Sequence, residues 1–200
     1  MTWNLVSNDD VFQSHIRISV DVFNKEECDL IIKYGENLEK NKAEVYTSDI
    51  NKVDINFETR NSTISWVYPN EETQWIYRRC TDVINTINAD IFKFDLHSIE
   101  DLQFTFYDST QNGFYGKHID SQNQYKKNMF RKLSFAIQLN DPSEYTGGDF
   151  IMHVNSNSTP VEKKLGIGYV FPSFVLHEVT PVTRGSRYSL VGWVSGPYWR

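Results

Sequence analysis

Cysteine is scarce in this sequence: its 200 residues include only Cys28 and Cys80, and each lies in a segment whose apolar residues follow a helical period. Neither cysteine has neighbouring histidines or cysteines at the spacing of a zinc site. Because disulfides rarely persist in the cytoplasm, we expect two buried, free thiols in a cytoplasmic protein.

Long apolar runs and an excess of positive charge are also missing. The first eight residues have neither the basic start nor the apolar centre of a secretory signal, and no apolar run approaches the roughly 20 residues that cross a membrane. We therefore expect a cytoplasmic location and no membrane partner. A net charge of −6 disfavours a broad surface that neutralises phosphates, which argues against nucleic acid as a partner.

The apolar content, in contrast, is sufficient for a folded core. Hydrophobic residues make up 40% of the sequence and aromatic residues 14%, so we expect a substantial core rather than disorder. A length of 200 residues fits one domain, and no repeat, low-complexity tract or linker divides the chain. We predict a single domain over residues 1–200, in which residues 1–100 give helical support and residues 101–195 carry the chemistry.

The first half of the chain predicts two helices with short strands around them. Asn24-Lys-Glu-Glu27 has the pattern of a capping box and starts the first helix. Residues 72–89 form a second, amphipathic helix. Alternation predicts an edge strand over 16–20 and a short strand over 64–68. Residues 41–63 are polar and patternless, which is typical of a loop or an irregular hairpin.

The second half is rich in alternating segments separated by turn residues. We predict eight strands there, over residues 102–107, 117–120, 131–139, 148–154, 158–163, 167–171, 177–182 and 187–195. Eight is the number that a jelly roll needs, and helices followed by strands indicate helices packed outside a β-sandwich. The predicted fold class is α+β, mainly β: a double-stranded β-helix of eight core strands with N-terminal helices on the outside.

The stretch Gly113–Asp120 contains the pattern His118-Ile-Asp120. In an extended strand, side chains two residues apart lie on the same face, so both can point at one metal ion. A second imidazole, His177, would complete a set of two histidines and one carboxylate, which suits Fe(II) because it leaves coordination positions open. Arg187 offers a planar fork for a carboxylate. Taken singly, each histidine would also fit a half-buried residue bonded to the backbone.

These motifs together resemble the 2-oxoglutarate and Fe(II)-dependent dioxygenases, specifically the prolyl 4-hydroxylase-like group that includes bacterial PKHD-type hydroxylases. The likeness is strong over residues 101–195, and weaker at the helix that follows Asn24 and over residues 60–66. The matching stretches are Leu102–Tyr107, Gly113–Asp120, Arg131–Asn140, Gly147–Phe150, His177–Val182 and Gly185–Trp193.

The resemblance implies that His118, Asp120 and His177 hold Fe(II). It further implies 2-oxoglutarate and dioxygen as co-substrates, with ascorbate as an additional candidate cofactor. Arg187 and Tyr107 are implied as the residues that bind the distal carboxylate of 2-oxoglutarate.

Two further residues, Tyr115 and Trp193, are implied beside the substrate. By residue type alone, Tyr115 would also fit a core tyrosine with a solvated hydroxyl, and Trp193 a pocket wall. We expect a structural or supporting role for His153, because three ligands are already assigned. The polar loop 121–130 follows the histidine–aspartate strand and fits either a lid over the site or an ordinary hairpin loop.

The implied activity is hydroxylation of an unactivated C–H bond, with release of succinate and CO2, on a prolyl residue of a peptide or protein. A free amino acid or a small metabolite is the alternative substrate, and Lys126, Lys127 and Arg131 would favour an acidic one. Two other classes stay open: a jelly-roll binding module without catalysis, and a zinc or manganese isomerase of the cupin type. The joint presence of three ligands and Arg187 favours the dioxygenase.

Overall fold

The structure, a computed structural model, describes residues 17–43, 45–46, 53–54, 59–121, 128–154 and 157–198. Its helices are α1 (Lys25–Glu36) and α2 (Gln74–Ile87), and a π-helical turn follows at Asn88–Phe92. The strands are β1 (Ile18–Asp21), β2 (Asn41–Lys42), β3 (Val45–Tyr46), β4 (Val53–Asp54), β5 (Arg60–Asn61), β6 (Thr63–Val67), β7 (Ser98–Ile99), β8 (Leu102–Asp108), β9 (Phe114–His118), β10 (Phe130–Gln138), β11 (Thr146–Gly147), β12 (Phe150–Val154), β13 (Asn157–Pro160), β14 (Ile167–Pro172), β15 (Leu176–Val179), β16 (Val182–Arg184) and β17 (Ser186–Gly196).

Two antiparallel sheets form the body of the molecule. The larger has the order β1-β14-β10-β17-β8-β6-β2, with β7 beside β17, and the smaller has the order β13-β12-β15-β9-β5. One apolar cluster joins side chains of both sheets, and a second joins the other face of the larger sheet to the helices. The fold is therefore mainly β, a jelly roll with helices packed on its outside, as the sequence predicts.

Alternation along β17 separates the two faces of the larger sheet. Leu190 and Val194 belong to the cluster that packs against the helices. Residues on the opposite face of the strand, Arg187, Ser189 and Trp193, line a cavity between the two sheets. Because side chains alternate along a strand, one strand supplies both the apolar support and the interior polar groups.

The first helix begins where the sequence predicts. The Asn24 side chain accepts from the Glu27 N–H at 2.9 Å, and the Glu27 carboxylate accepts from the Asn24 N–H at 2.9 Å, so the capping box is formed. The helix buries Ile31 and Gly35 against the sheet. A Cβ at Gly35 would lie 2.4 Å from the Phe104 ring, so only glycine allows this close approach.

Two predicted strands are shorter than expected. The segment 177–182 is interrupted after β15: the Thr180 N–H still bonds to the opposite Asp149 carbonyl, but Pro181 has no N–H to offer a ladder. The predicted strand over 158–163 ends at Pro160, which is the last residue of β13. Neither change alters the order of the sheets.

Both cysteines are free and buried, Cys28 in α1 and Cys80 in α2, as predicted. Burial raises the pKa of each thiol to about 12, so both stay protonated near neutral pH and behave as apolar core residues. No helix among the residues that the structure describes is long and apolar enough to span a membrane.

Candidate metal centre

Two histidines face each other across neighbouring strands of the smaller sheet. His118 ends β9 and pairs in register with His177 on β15, and the ring centroids lie 4.1 Å apart. Each Nδ1 lies 2.8 Å from a carbonyl oxygen two residues earlier in the chain, that of Gly116 or Val175. Since a carbonyl oxygen only accepts, each Nδ1–H donates and each Nε2 keeps its lone pair for a metal ion.

Asp120 lies beyond the end of β9, although the sequence predicts a strand over 117–120. Its N–H donates to the Ser173 carbonyl at 2.8 Å instead of continuing the ladder. The carboxylate nevertheless turns towards the histidines. Oδ1 is 3.7 Å from Nε2 of His118, and Oδ2 is 3.6 Å from Nε2 of His177. The structure therefore brings the three predicted ligands together, with their ligand atoms all within 4.8 Å of one another.

Burial and neighbouring charges set the protonation of this group. Burial, with His177 beside it, lowers the pKa of His118 from 6.5 to about 3, so His118 is neutral near pH 7. Burial alone would raise the pKa of Asp120, but the two histidines, Arg131 and a hydrogen bond from Ser134 hold that pKa below its usual range. A carboxylate and two imidazoles therefore face one another, and such a donor set suits a divalent cation.

A serine that the sequence did not single out supports Asp120. Ser134 on β10 donates from Oγ to Oδ2 of Asp120 at 2.7 Å, and its Oγ lies 2.9 Å from Oγ of Ser173. Both serines are fully buried. Alternation along β10 places Ser134 on the interior face, but only the fold reveals that it meets Asp120.

The predicted carboxylate-binding pair lies on the larger sheet. Arg187 pairs in register with Tyr107 on β8, and its Cζ lies 5.4 Å from the Tyr107 ring centroid. Nη1 of Arg187 donates to Ser189 Oγ at 3.3 Å. Tyr145, which the sequence did not indicate, lies beside Arg187, and its buried hydroxyl has no hydrogen-bond partner within the described part of the chain. This end of the cavity thus offers donors to an anionic group.

Tyr115, predicted beside the substrate, stacks on a metal-site histidine. Its ring centroid lies 3.5 Å from that of His118, with the planes 13° apart. Burial raises the pKa of Tyr115 to about 12, so its hydroxyl stays protonated and can donate. The guanidinium of Arg60 lies 4.3 Å from the same ring. No sequence pattern indicates a role for Arg60, because this residue falls in the segment without periodicity.

Trp193 forms another wall of the cavity. The Arg131 guanidinium lies 3.9 Å from its ring, and Nη2 of Arg131 is 2.7 Å from Oε2 of Glu100, a residue only 3% exposed. The Trp193 Nε1 atom is buried without a hydrogen-bond partner among the described residues. Arg131 was expected as a free cation for an acidic substrate; the buried Glu100 neutralises it. Lys126 and Lys127 lie outside the described residues.

Two other expectations have different outcomes. His153 contacts Ser158 Oγ at 2.7 Å and Glu178 Oε1 at 2.8 Å, and it is not a member of the candidate metal group. Its side chain therefore links neighbouring polar groups, as a structural histidine would. Most of the loop considered as a lid, residues 122–127, lies outside the residues that the structure describes.

A cavity of about 900 Å³ connects these groups. Apolar side chains flank the metal group, and they include Phe150, Phe171, Leu176 and Val179. Phe150 and Phe171 meet the His177 ring edge-on, at centroid distances of 5.6 and 4.9 Å. The predicted site residues also line this cavity: His118, Asp120, His177, Arg187, Tyr107, Tyr115 and Trp193.

Residues 102–195 match the sequence model of the 2OG-Fe(II) oxygenase superfamily. The matched segment spans 94 residues, just under half of the 200-residue chain. Among curated relatives, a PKHD-type hydroxylase of Maricaulis maris is 38% identical over 80 residues, and one of Synechococcus sp. strain CC9605 is 42% identical over 82 residues. Each alignment covers 40% of this chain and 36% of the relative, so the chain matches well under half the length of these relatives.

Solved structures share the fold over nearly the whole chain. A Pseudomonas putida prolyl-4-hydroxylase superposes with a TM-score of 0.70 at 22% identity, covering 94% of this chain and 97% of that one. A Trichoplax adhaerens prolyl hydroxylase superposes with a TM-score of 0.72 at 13% identity, covering 92% of this chain and 86% of that one. At these identities the likeness establishes the fold, and the chemistry has to be argued from the site.

Proposed function

We propose that this protein is a dioxygenase that uses Fe(II) and 2-oxoglutarate to hydroxylate an unactivated C–H bond. The observation that carries the proposal is the convergence of His118, Asp120 and His177, whose ligand atoms lie within 4.8 Å of one another in the same cavity as Arg187. The match of residues 102–195 to the 2OG-Fe(II) oxygenase superfamily supports it.

The donor set fits Fe(II). His118 and His177 would hold the ion through their Nε2 atoms and Asp120 through its carboxylate, a set of two histidines and one carboxylate that suits Fe(II) and leaves coordination positions open. With dioxygen and 2-oxoglutarate, bound Fe(II) supplies the oxidising power that converts C–H to C–OH as the keto acid becomes succinate and CO2. The chain's own task is to orient both organic molecules and exclude water.

Arg187 would hold the far end of the keto acid. Arg187 is 4% exposed, and Nη1 of its guanidinium donates to the neutral Ser189 hydroxyl. A planar fork can pair with a carboxylate through two N–H bonds, and burial strengthens such a pair. Tyr107 beside it would add a hydroxyl donor, whereas the apolar walls at Phe150 and Phe171 keep water from the reacting carbon.

A prolyl residue of a peptide or protein is our proposed substrate. Its support is by relationship: matched relatives are named PKHD-type hydroxylases, and structural neighbours are named prolyl hydroxylases, one of them in complex with a hypoxia inducible factor peptide fragment. A cavity of about 900 Å³ has room for a residue with its neighbours. A free amino acid or a small metabolite is the alternative substrate, and a binding module without catalysis is the alternative class.

We propose a single domain over residues 1–200; ascorbate as a cofactor and the cytoplasmic location stay predictions.

The test is calorimetric titration of the metal-free protein with Mn(II), then with 2-oxoglutarate, alongside succinate formation with Fe(II). We expect one Mn(II) per chain and binding of 2-oxoglutarate that depends on the metal. In the variant Arg187→Ala, the loss of a charged pair should weaken 2-oxoglutarate binding by about 10- to 100-fold with Mn(II) affinity unchanged.

Arg184→Ala is the matched control, because Arg184 is exposed on the preceding strand and contacts Thr146 and Ser143 instead of the cavity. This variant should bind 2-oxoglutarate as the parent does. Absence of metal-dependent 2-oxoglutarate binding in the parent would overturn the dioxygenase assignment. Binding of both without succinate formation would favour the binding module.

A further inference from the structure

Arg60 is a buried cation that the proposed chemistry does not use. It lies on β5 and pairs in register with Tyr115 of β9, the strand that ends at His118. The Gly116 N–H bonds to the Thr59 carbonyl at 2.8 Å, which fixes β5 against β9. Arg60 is 7% exposed, and it lines the same cavity as the metal group.

Within the described residues, the hydrogen bonds and the ring contact of Arg60 are with uncharged groups. Nε donates to Ser62 Oγ at 2.8 Å, Nη2 donates to Gln103 Oε1 at 2.8 Å, and the guanidinium lies 4.3 Å from the Tyr115 ring centroid. Arg60 forms no ion pair with any residue of the described ranges. A buried charge without a counter-charge is costly, so this guanidinium favours an anion in the cavity.

Arg131, on another wall of the cavity, is the internal contrast. Nη2 of Arg131 forms an ion pair with the buried Glu100 carboxylate at 2.7 Å, so the charge of Arg131 is already balanced. Arg187 is assigned to 2-oxoglutarate. The cavity's remaining carboxylate, Asp120, faces the two metal-site histidines rather than Arg60. With metal and keto acid in place, Arg60 is still unbalanced, although the chain as a whole carries a net charge of −6.

Distance places such an anion close to the reaction. The guanidinium is 4.3 Å from the Tyr115 ring, and that ring is 3.5 Å from the imidazole of His118. The guanidinium therefore lies no more than about 8 Å from the centre of the His118 imidazole, a span of roughly two residues of extended chain. An anionic group on Arg60 would therefore belong to the same amino acid as the reacting carbon, or to its immediate neighbour.

We propose that the substrate of this site carries a carboxylate that pairs with Arg60 while the bond to be hydroxylated faces the metal group. The planar fork of arginine suits a carboxylate, and Nη1 has no bonded partner within the described part of the chain. This inference rests on the proposed function and sharpens its substrate class. The carboxylate comes either from the reacting residue itself or from an acidic neighbour in a peptide.

Two pairs of probes distinguish a carboxylate on the reacting residue from one on an acidic neighbour. Their binding is measured by calorimetry on protein saturated with Mn(II) and 2-oxoglutarate, so that Arg187 is already occupied by the keto acid. N-acetyl-L-proline is compared with N-acetyl-L-prolinamide, and N-acetyl-L-glutamyl-L-prolinamide with its glutaminyl counterpart. In at least one pair we expect the carboxylate to bind about tenfold or more tightly than the amide. Equal affinities within both pairs would overturn the proposal.

Variants then assign the preference to Arg60. Arg60→Gln removes the charge, and Gln103→Glu supplies an internal carboxylate at the atom that already accepts from Nη2. Both variants should abolish the preference for the carboxylate probe. Gln103→Glu should do this while Arg60 still packs on the Tyr115 ring. Lys42→Gln, which removes an equal charge from the cavity mouth, should keep the preference.

A purely structural role for Arg60 gives a different pattern, in which Arg60→Gln weakens both members of a pair equally and Gln103→Glu leaves the preference intact. That pattern would contradict the proposal. Failure of the proposed function has its own readout, because 2-oxoglutarate would then not bind the Mn(II)-loaded protein. The probe preference can still be measured on metal-free protein in that case.

Discussion

The two faces of the larger sheet differ sharply in composition, although the same strands build both. On the helix side, Leu102 and Leu190 are buried in a cluster made almost entirely of aliphatic and aromatic side chains. On the cavity side, their neighbours Gln103, Arg187 and Ser189 are just as buried but polar or charged. Alternation thus lets the chain assign stability to one face and chemistry to the other.

The difference predicts that changes on the two faces have separate consequences. Apolar burial on the helix side supplies stability through area removed from water and through packing. Polar groups on the cavity side cost desolvation, and some of them hold another group in position, as Ser134 holds Asp120. Four experiments test this separation.

The largest expected effect is on metal binding. Asp120→Ala should reduce Mn(II) binding below detection by calorimetry and abolish Fe(II)-dependent succinate formation, because it removes the charged ligand from the group. The unfolding transition should stay cooperative, since the helix-side cluster is untouched. Asp82→Ala, on the exposed face of α2, is the control with normal binding. Full metal affinity in Asp120→Ala would remove the proposed triad.

On the opposite face, Leu102→Ala should cost about 2–5 kcal/mol in the free energy of unfolding, because Leu102 is fully buried and leaves a cavity. Mn(II) affinity of the folded fraction should not change. Leu30→Ala is the matched control, since Leu30 is 58% exposed on α1 and should cost less than about 0.5 kcal/mol. Urea titration measures both. A large change in metal affinity in Leu102→Ala would mean that the two faces are coupled.

A smaller effect is expected from Ser134→Ala. Loss of the hydroxyl that donates to Asp120 at 2.7 Å should weaken Mn(II) binding by about 10- to 100-fold, as for other groups that orient a ligand. Ser65→Ala is the control, because Ser65 is also buried but does not line the cavity. Its neighbours on β6, Ile64 and Trp66, line the cavity, so alternation places Ser65 on the other face of the strand. Equal metal affinities in the two variants would contradict an orienting role for Ser134.

The smallest effect concerns pH. The pKa of His118 is about 3 in the folded protein and near 6.5 when unfolded, so below pH 6.5 the unfolded chain binds more protons and the metal-free protein loses stability. Between pH 7 and 6 this loss should stay under about 1 kcal/mol and grow towards pH 3. Urea midpoints across this range should slope less in His118→Asn. An identical slope would show that His118 is not the group responsible.

Much of the fold was accessible from the sequence because period-2 alternation is strong in the second half. The predicted strands 102–107 and 187–195 correspond to β8 and β17 within one residue at each end. The candidate ligands were accessible because a histidine–aspartate pair two residues apart is a local pattern. The backbone geometry at this pair was not predicted, because Asp120 leaves the strand ladder and its N–H bonds to the Ser173 carbonyl.

What could not be predicted depends on contacts between distant strands. β2 and β5 are each two residues long and fall within 41–63, where no periodicity can be read, so Arg60 had no assigned place. The pairing of Arg131 with Glu100 joins residues 31 positions apart through the sheet. Tyr145 directly follows the short 3-10 helix Pro142–Glu144, and its approach to Arg187 follows from tertiary structure alone.

The short connection between β14 and β15 acts as a common reference point for two of the three candidate ligands. Ser173 receives the backbone N–H of Asp120, and Val175, two residues on, receives Nδ1–H of His177. An insertion or deletion in this connection would displace a carboxylate and an imidazole in the same event. Its length is therefore a tighter constraint on the site than the identity of many residues that line the cavity.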